Sequence, residues 1–231
     1  EGSVRTDLRP AMDPPASGER YGPLWKPADL TEAIGQIYNT TDMESFEQGG
    51  KQDAEWLRSF VTESSTVLDL GCGVGRVALY MAPMCRELCA VDASERMLQL
   101  ATQRLAGCPN VRLVQSADTQ IPVPDDSIDF AYSLLVLQHV EREDAFLLLE
   151  ELHRVVKPSG RVALTFPNLL SETYMDSFVS YARSRASSQA NRARIYTPEE
   201  VERVMSTAGF ASELQVGTEI CVVARPNARP N

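Results

Sequence analysis

Short apolar runs alternate along the chain with stretches in which apolar side chains recur every third or fourth residue. The first pattern predicts strands, and the second predicts helices that bury one face. Strands are predicted near 66–70, 87–92, 111–115, 128–134 and 160–166, with helices near 75–84, 94–106 and 142–156 among them. Such alternation implies right-handed crossovers and an α/β fold with a parallel sheet and helices on both faces. Two later runs, 210–216 and 219–225, are close enough to form a hairpin, so the last strand should run antiparallel to its neighbours. Residues 28–39 and 51–61 read as helices, the second with Ala54, Trp56, Leu57, Phe60 and Val61 at helical spacing. An insertion over 168–195 holds a helix near 171–187, and another helix is expected near 198–208. Residues 1–22 are rich in proline and glycine and lack periodicity, as a flexible leader or strapping segment would. The expected organisation is a leader and lid helix over 1–45, then one domain over 46–225.

Within this pattern, Val67-Leu68-Asp69-Leu70-Gly71-Cys72-Gly73-Val74-Gly75 is a strand ending in an acid, followed by glycines at alternate positions. Glycines remove Cβ atoms where a ligand must lie against backbone, and the N–H groups beyond the loop can face that ligand. The spacing is G-x-G-x-G, unlike the G-x-G-x-x-G of dinucleotide binders. Leu88-Cys89-Ala90-Val91-Asp92 ends in a second acid, 23 positions after Asp69, placed to accept from ribose hydroxyls. Val111-Arg112-Leu113-Val114-Gln115 leads through Ser116-Ala117 to a third, Asp118, where an adenine amino group could donate. A proline-rich turn then enters the fourth strand, ending at Tyr132-Ser133.

On these residues the chain resembles the class I S-adenosylmethionine-dependent methyltransferases, in their small-molecule branch. The motifs V-L-D-L-G-C-G-V-G-R, A-V-D-A-S-E-R-M-L, S-A-D, I-P-V-P-D-D-S-I-D-F-A-Y-S and R-V-V-K-P-S-G-R-V-A-L carry the resemblance, in order, from Thr66 to Phe166. Ser159 departs from it, standing where the family usually has a second glycine. A weaker echo runs from Tyr196 to about residue 224. The resemblance implies a Rossmann-like seven-stranded sheet, mostly parallel with an antiparallel last strand, and an N-terminal helical lid. It implies S-adenosyl-L-methionine as cofactor and S-adenosyl-L-homocysteine as product. By the same likeness, the backbone of Gly71, Cys72 and Gly73 holds the methionine part, with Asp69 at the loop or the ammonium. Arg76 reaches the carboxylate, and Asp92 takes the ribose. Ala93 and Met97 pack one adenine face, and Ala117 and Asp118 meet the adenine edge. A carbonyl of Ser133 or Leu134 accepts from the ammonium.

Blander readings stand beside these. One acid at a strand end is often a helix cap or turn residue, although three on one sheet edge beside a glycine loop are harder to read so. Met97 shares a helix face with Leu98 and Ala101, which suits a core residue, and Arg76 suits a solvated helix. His139, just past the fourth strand, is placed to take a proton from an acceptor, or Gln138 and His139 simply hold that loop. His153, mid-helix, reads as a surface residue.

Substrate recognition is expected from Tyr21, Trp25 and Tyr38 in the N-terminal region, and from Tyr174 and Phe178 in the insertion. Arg183, Arg185, Arg192 and Arg194 could attract an acidic acceptor, or form a solvated face.

Composition narrows the classes further. A net charge of −10 argues against nucleic acid as substrate, because phosphate binding needs a basic face. Five cysteines without a C-x-x-C pair and two histidines predict reduced thiols and no zinc site. Neither the carboxylates of magnesium-dependent catechol-type enzymes nor the Asp/Asn-Pro-Pro-aromatic motif of adenine methyltransferases follows strand four. No apolar run approaches the roughly 18 residues that span a bilayer, and no signal-type segment is visible, so a cytoplasmic protein is expected. The expected acceptor is a small organic molecule. The rivals are a non-catalytic S-adenosylmethionine-binding module, an NAD-linked oxidoreductase, and a protein or RNA methyltransferase.

Overall fold

The computed structural model describes residues 20–38, 40–184 and 192–228. Its seven strands are β1 (Thr66–Leu70), β2 (Glu87–Asp92), β3 (Val111–Gln115), β4 (Ile128–Ser133), β5 (Val156–Pro167), β6 (Phe210–Val216) and β7 (Glu219–Pro226). They form one sheet in the order β3-β2-β1-β4-β5-β7-β6. The pairs among β1 to β5 are parallel, and β7 runs antiparallel to both neighbours, as the sequence predicts. Chain order reverses between β1 and β4, so the ends of those strands open a crevice.

Both faces are covered, which is why β1 is buried at every residue. On one side α5 (Arg142–Val155) and α7 (Pro198–Thr207) press Leu149, Leu152 and Met205 against Leu68, Val162 and Val222. On the other, α2 (Met43–Leu57), α3 (Ala78–Met81) and α4 (Glu95–Arg104) pack Leu57, Met81 and Leu98 against Val67, Leu88 and Phe130. A third cluster joins α1 (Leu30–Tyr38) to the glycine loop through Ile34, Phe46, Val74, Met97 and Leu100. Side-chain caps fix several helix starts. Ser94 accepts from the Met97 N–H, and Thr197 and Glu200 form a reciprocal capping box.

Two helices depart from the predicted bounds. The helix expected over 51–61 begins at Met43, where the Asp42 carboxylate accepts from the Glu44 and Ser45 N–H groups. Gly49 and Gly50 sit inside it because a Cβ there would lie 2.4 Å from the Tyr38 hydroxyl and 2.5 Å from the Arg76 carbonyl. The helix expected over 75–84 is α-helical only from Ala78 to Met81, since turns run through Gly75 (φ +81°) and a 3-10 turn follows at Ala82–Met84. In the insertion, α6 (Glu172–Ser184) is described, and Arg185 lies outside the described residues, as does most of the leader.

Candidate functional site

The C-terminal ends of β1 to β4 enclose a cleft of about 990 Å³, its open mouth included. Its floor is the loop after β1. The Gly71 and Cys72 N–H groups both donate to the Val91 carbonyl, at 2.7 and 3.0 Å, which ties the loop to β2. Gly71 and Gly73 have φ of +79° and +55°. A Cβ on Gly71 would lie 2.4 Å from Val136, and one on Gly73 would lie 3.0 Å from Ile37. Gly71 is therefore required by space as well as by backbone angle, and Gly73 by backbone angle.

Three carboxylates line this cleft. Asp69 is buried and accepts from the Tyr132 hydroxyl at 2.9 Å. Burial pushes its carboxyl up to about 7, against the pull of the Tyr132 hydrogen bond and of the Arg76 charge. Asp92 accepts from the Gly73 N–H and the Ser94 N–H, each at 2.8 Å, one on each oxygen. Burial raises it as well, and those two N–H groups oppose the rise. Asp118 stands at φ +46° after β3, and one of its oxygens accepts from the Arg20 and Tyr21 N–H groups at 3.3 and 3.4 Å. The cation in the cleft is Arg76. It is buried, paired with Asp53 at 2.6 Å, and its guanidinium lies 4.9 Å from the centre of the Tyr38 ring. The Cys72 thiol is buried and pushed well above its ordinary range, which suits packing and not nucleophilic attack.

Above the loop, the His139 ring meets the Trp25 ring edge-on at 5.0 Å, and both line the cleft. The Gln138 amide nitrogen lies 3.1 Å from His139 Nε2. Gly71, Cys72, Gly73, Ala93, Met97, Leu134 and Tyr21 also line it. Other sequence-predicted residues stand elsewhere. The Ser133 side chain is fully buried and donates to the Leu70 carbonyl. Ala117, between the cleft-lining Ser116 and Asp118, pairs with Gln120. Tyr38 supports Arg76 from behind. The Tyr174 hydroxyl donates to Glu219, and Phe178 on α6 is half exposed. Arg194 pairs with Glu141, and Arg192 lies over the Tyr181 ring.

Leu135, Val136, Val140, Ile37 and Ser116 line the cleft without having been singled out from sequence. Leu135 has φ +62°, unusual for a branched side chain, and its N–H donates to Thr165 Oγ1 at 2.9 Å. Its place directly after the fourth strand was the available signal. Among the described residues, no group of three His, Cys, Asp or Glu side chains is placed to hold a metal ion.

Residues 68–164 match the family described as a methyltransferase domain. An uncharacterized methyltransferase of Bacillus subtilis, YcgJ, is 32% identical over 117 residues, covering 50% of this chain and 46% of that one. Its solved structure superposes with a TM-score of 0.62 at 19% identity, covering 80% of this chain and all of that one. A demethylmenaquinone methyltransferase of Tropheryma whipplei is 28% identical over 142 residues, covering 59% of this chain and 58% of that one. The crystal structure of a SAM-dependent methyltransferase from Aquifex aeolicus gives a TM-score of 0.61 at 24% identity, covering 83% of this chain and 96% of that one. The sequence matches thus span about half the length of the curated relatives. The fold is the Rossmann-like fold of methyltransferases.

Proposed function

We propose that this chain is an S-adenosylmethionine-dependent methyltransferase that acts on an oxygen or nitrogen of a small organic acceptor. Three carboxylates on one rim, beside a loop whose glycines take positive φ, support this reading most directly. They suit a ligand that carries a sulfonium, an ammonium and a ribose diol. The Gly71–Gly73 backbone would hold the methionine part, Asp69 its ammonium, Asp92 the diol and Asp118 the adenine edge. Each oxygen of Asp92 already has one backbone donor and keeps a lone pair for a hydroxyl. Ala93 and Met97 offer apolar surface for the adenine face. Arg76 would meet the carboxylate by sharing its guanidinium with Asp53. A main-chain carbonyl at Ser133 or Leu134 would be the ammonium's second acceptor, and Ala117, between the cleft-lining Ser116 and Asp118, would meet the adenine edge beside Asp118.

The bound cofactor supplies a methyl carbon already activated by its sulfur, so in-line displacement needs no metal. The protein's task is to align the acceptor, which can supply several kcal/mol. Trp25, Ile37, Leu135 and Val136 form a largely apolar wall suited to that task. His139 is the group in this wall that can take an acceptor proton, and Tyr21 and Trp25 are the aromatic residues that can touch the acceptor. Tyr38, Tyr174 and Phe178 would act only from behind or from outside the cleft. A quinone-type acceptor is consistent with the relatives named demethylmenaquinone methyltransferases. A cytoplasmic location belongs to this proposal too, and no described helix is long and apolar enough to cross a membrane.

Calorimetric titration with S-adenosylmethionine and S-adenosylhomocysteine tests the reading. Saturable heat with both is expected, and folded protein that gives heat with neither overturns it. Binding without a methylated product from any acceptor panel would favour a non-catalytic module instead.

A further inference from the structure

We infer that residues 20–28 form a strap that must lift and reclose at each cofactor exchange, with Tyr21 as its latch. The inference rests on the proposed cofactor site and adds a gate to it. The strap joins the starts of two helices across the rim. At one end the Tyr21 hydroxyl donates to Asp144 on α5 and accepts the Glu141 N–H at 3.0 Å, while Arg20 pairs with Asp144 at 2.7 Å. At the other end Ser94 at the start of α4 donates its hydroxyl to the Trp25 carbonyl at 2.5 Å. Arg96 donates to the Pro27 carbonyl at 2.9 Å and to the Ala28 carbonyl. Between these ends the strap crosses directly over the two acids of the nucleoside end. The Arg20 and Tyr21 N–H groups rest on Asp118. Gly22 presses so closely on the residue after Asp92 that a Cβ would lie 2.5 Å from the Ala93 carbonyl oxygen.

Tyr21 is buried and, with Trp25, walls the cleft. A seated strap therefore covers a ligand held between Asp92 and Asp118. The strap is attached by side-chain and loop hydrogen bonds, with no strand pairing, and its contacts to Asp118 are long. Segments held in this way open at a small fraction of the cost of global unfolding. The α1 helix behind it stays anchored through Ala33 and Ile34, so the opening does not extend into α1. Asp118 links the two events, because both strap N–H groups rest on one of its oxygens and the residue lines the same cleft. A filled nucleoside end and a closed strap then share one carboxylate.

A gate has a kinetic signature that a simple contact lacks. Loosening it speeds arrival and departure together. The experiment is stopped-flow binding and release of S-adenosylhomocysteine, followed by Trp25 fluorescence in a Trp56→Phe background. Tyr21→Phe keeps the ring in the wall and removes the latch, and Gly22→Ala wedges the strap away from Ala93. Both should raise the association and dissociation rates by about tenfold, the effect of one charge-assisted hydrogen bond, with Kd changed less than about twofold. Unchanged rates in both variants overturn the gate. So does a weaker Kd that arises from faster release alone, since Tyr21 would then be an ordinary contact. If the unaltered protein binds no S-adenosylhomocysteine, the cofactor reading falls and the gate falls with it. Tight binding with variant rates equal to those of the parent removes the gate alone.

Discussion

Asp69 shows how one residue's surroundings set its chemistry. Its usual carboxylate range lies near 4, and in this cleft it reaches about 7 because it is buried. The folded protein therefore holds a proton between pH 4 and 7 that the unfolded chain has released. Stability then falls as pH rises across that window, by up to about 1.4 kcal/mol per pH unit from this group. Asp69→Asn should flatten that slope in urea denaturation of the ligand-free protein, and an unaltered slope would contradict the assignment. A cation bound beside Asp69 favours its ionised form, so cofactor affinity should strengthen as pH rises through about 7, and the Asn variant should lose that dependence. At this scale the sequence was informative where chemistry follows residue type. Asp69, Asp92 and Asp118 were legible because each ends an apolar run. Leu135 was not, because nothing in a leucine announces the positive φ that turns the chain into the cleft. The bond from the Ser133 hydroxyl to the Leu70 carbonyl was not legible either, because only the packed strands reveal it.

Two helices with similar apolar patterns have opposite fates. In α6, Tyr174, Phe178 and Tyr181 share one face, yet the helix buries no residue, and Phe178 stays 50% exposed. In α2, Phe46 is fully buried between Tyr38 and Arg104. Phe46→Ala should cost about 3–5 kcal/mol of stability, whereas Phe178→Ala should cost less than about 0.5 kcal/mol. Denaturation midpoints for the two variants decide the matter, and comparable losses would mean that α6 packs more tightly than its exposure shows. Periodicity predicts which face a helix could bury, but not what lies opposite. Most strands were legible as short apolar runs bounded by turns, although β5 begins at Val156, four residues before the predicted run. The start of α2 was obscured by Gly49 and Gly50, which usually weaken a helix and are present here for close approach. Likewise α3 is shorter than its apolar spacing suggests, because the glycine loop uses up what would have been its first turns.

Charge acts over the whole molecule. The chain carries a net −10, and the proposed ligand site adds three acids against one arginine that is already paired. Such a field repels polyphosphates and attracts a small cation from beyond contact distance. S-adenosylmethionine and S-adenosylhomocysteine are nearly the same shape, but only the first carries the sulfonium charge, so they form a matched pair for measuring that field. Salt shortens the reach of the field from roughly 14 Å near 0.05 M to about 4 Å near 0.5 M, on the scale of a Debye length of about 10 Å at 0.1 M. The long-range share of the attraction disappears over that range, while the buried hydrogen bonds common to both ligands are barely screened. Calorimetric affinity for S-adenosylmethionine should therefore weaken by about two- to fivefold more than that for S-adenosylhomocysteine between those salt concentrations. Parallel salt dependences would mean that the sulfonium is recognised by contact alone, and that the acidic character of the rest of the chain serves solubility and not ligand capture.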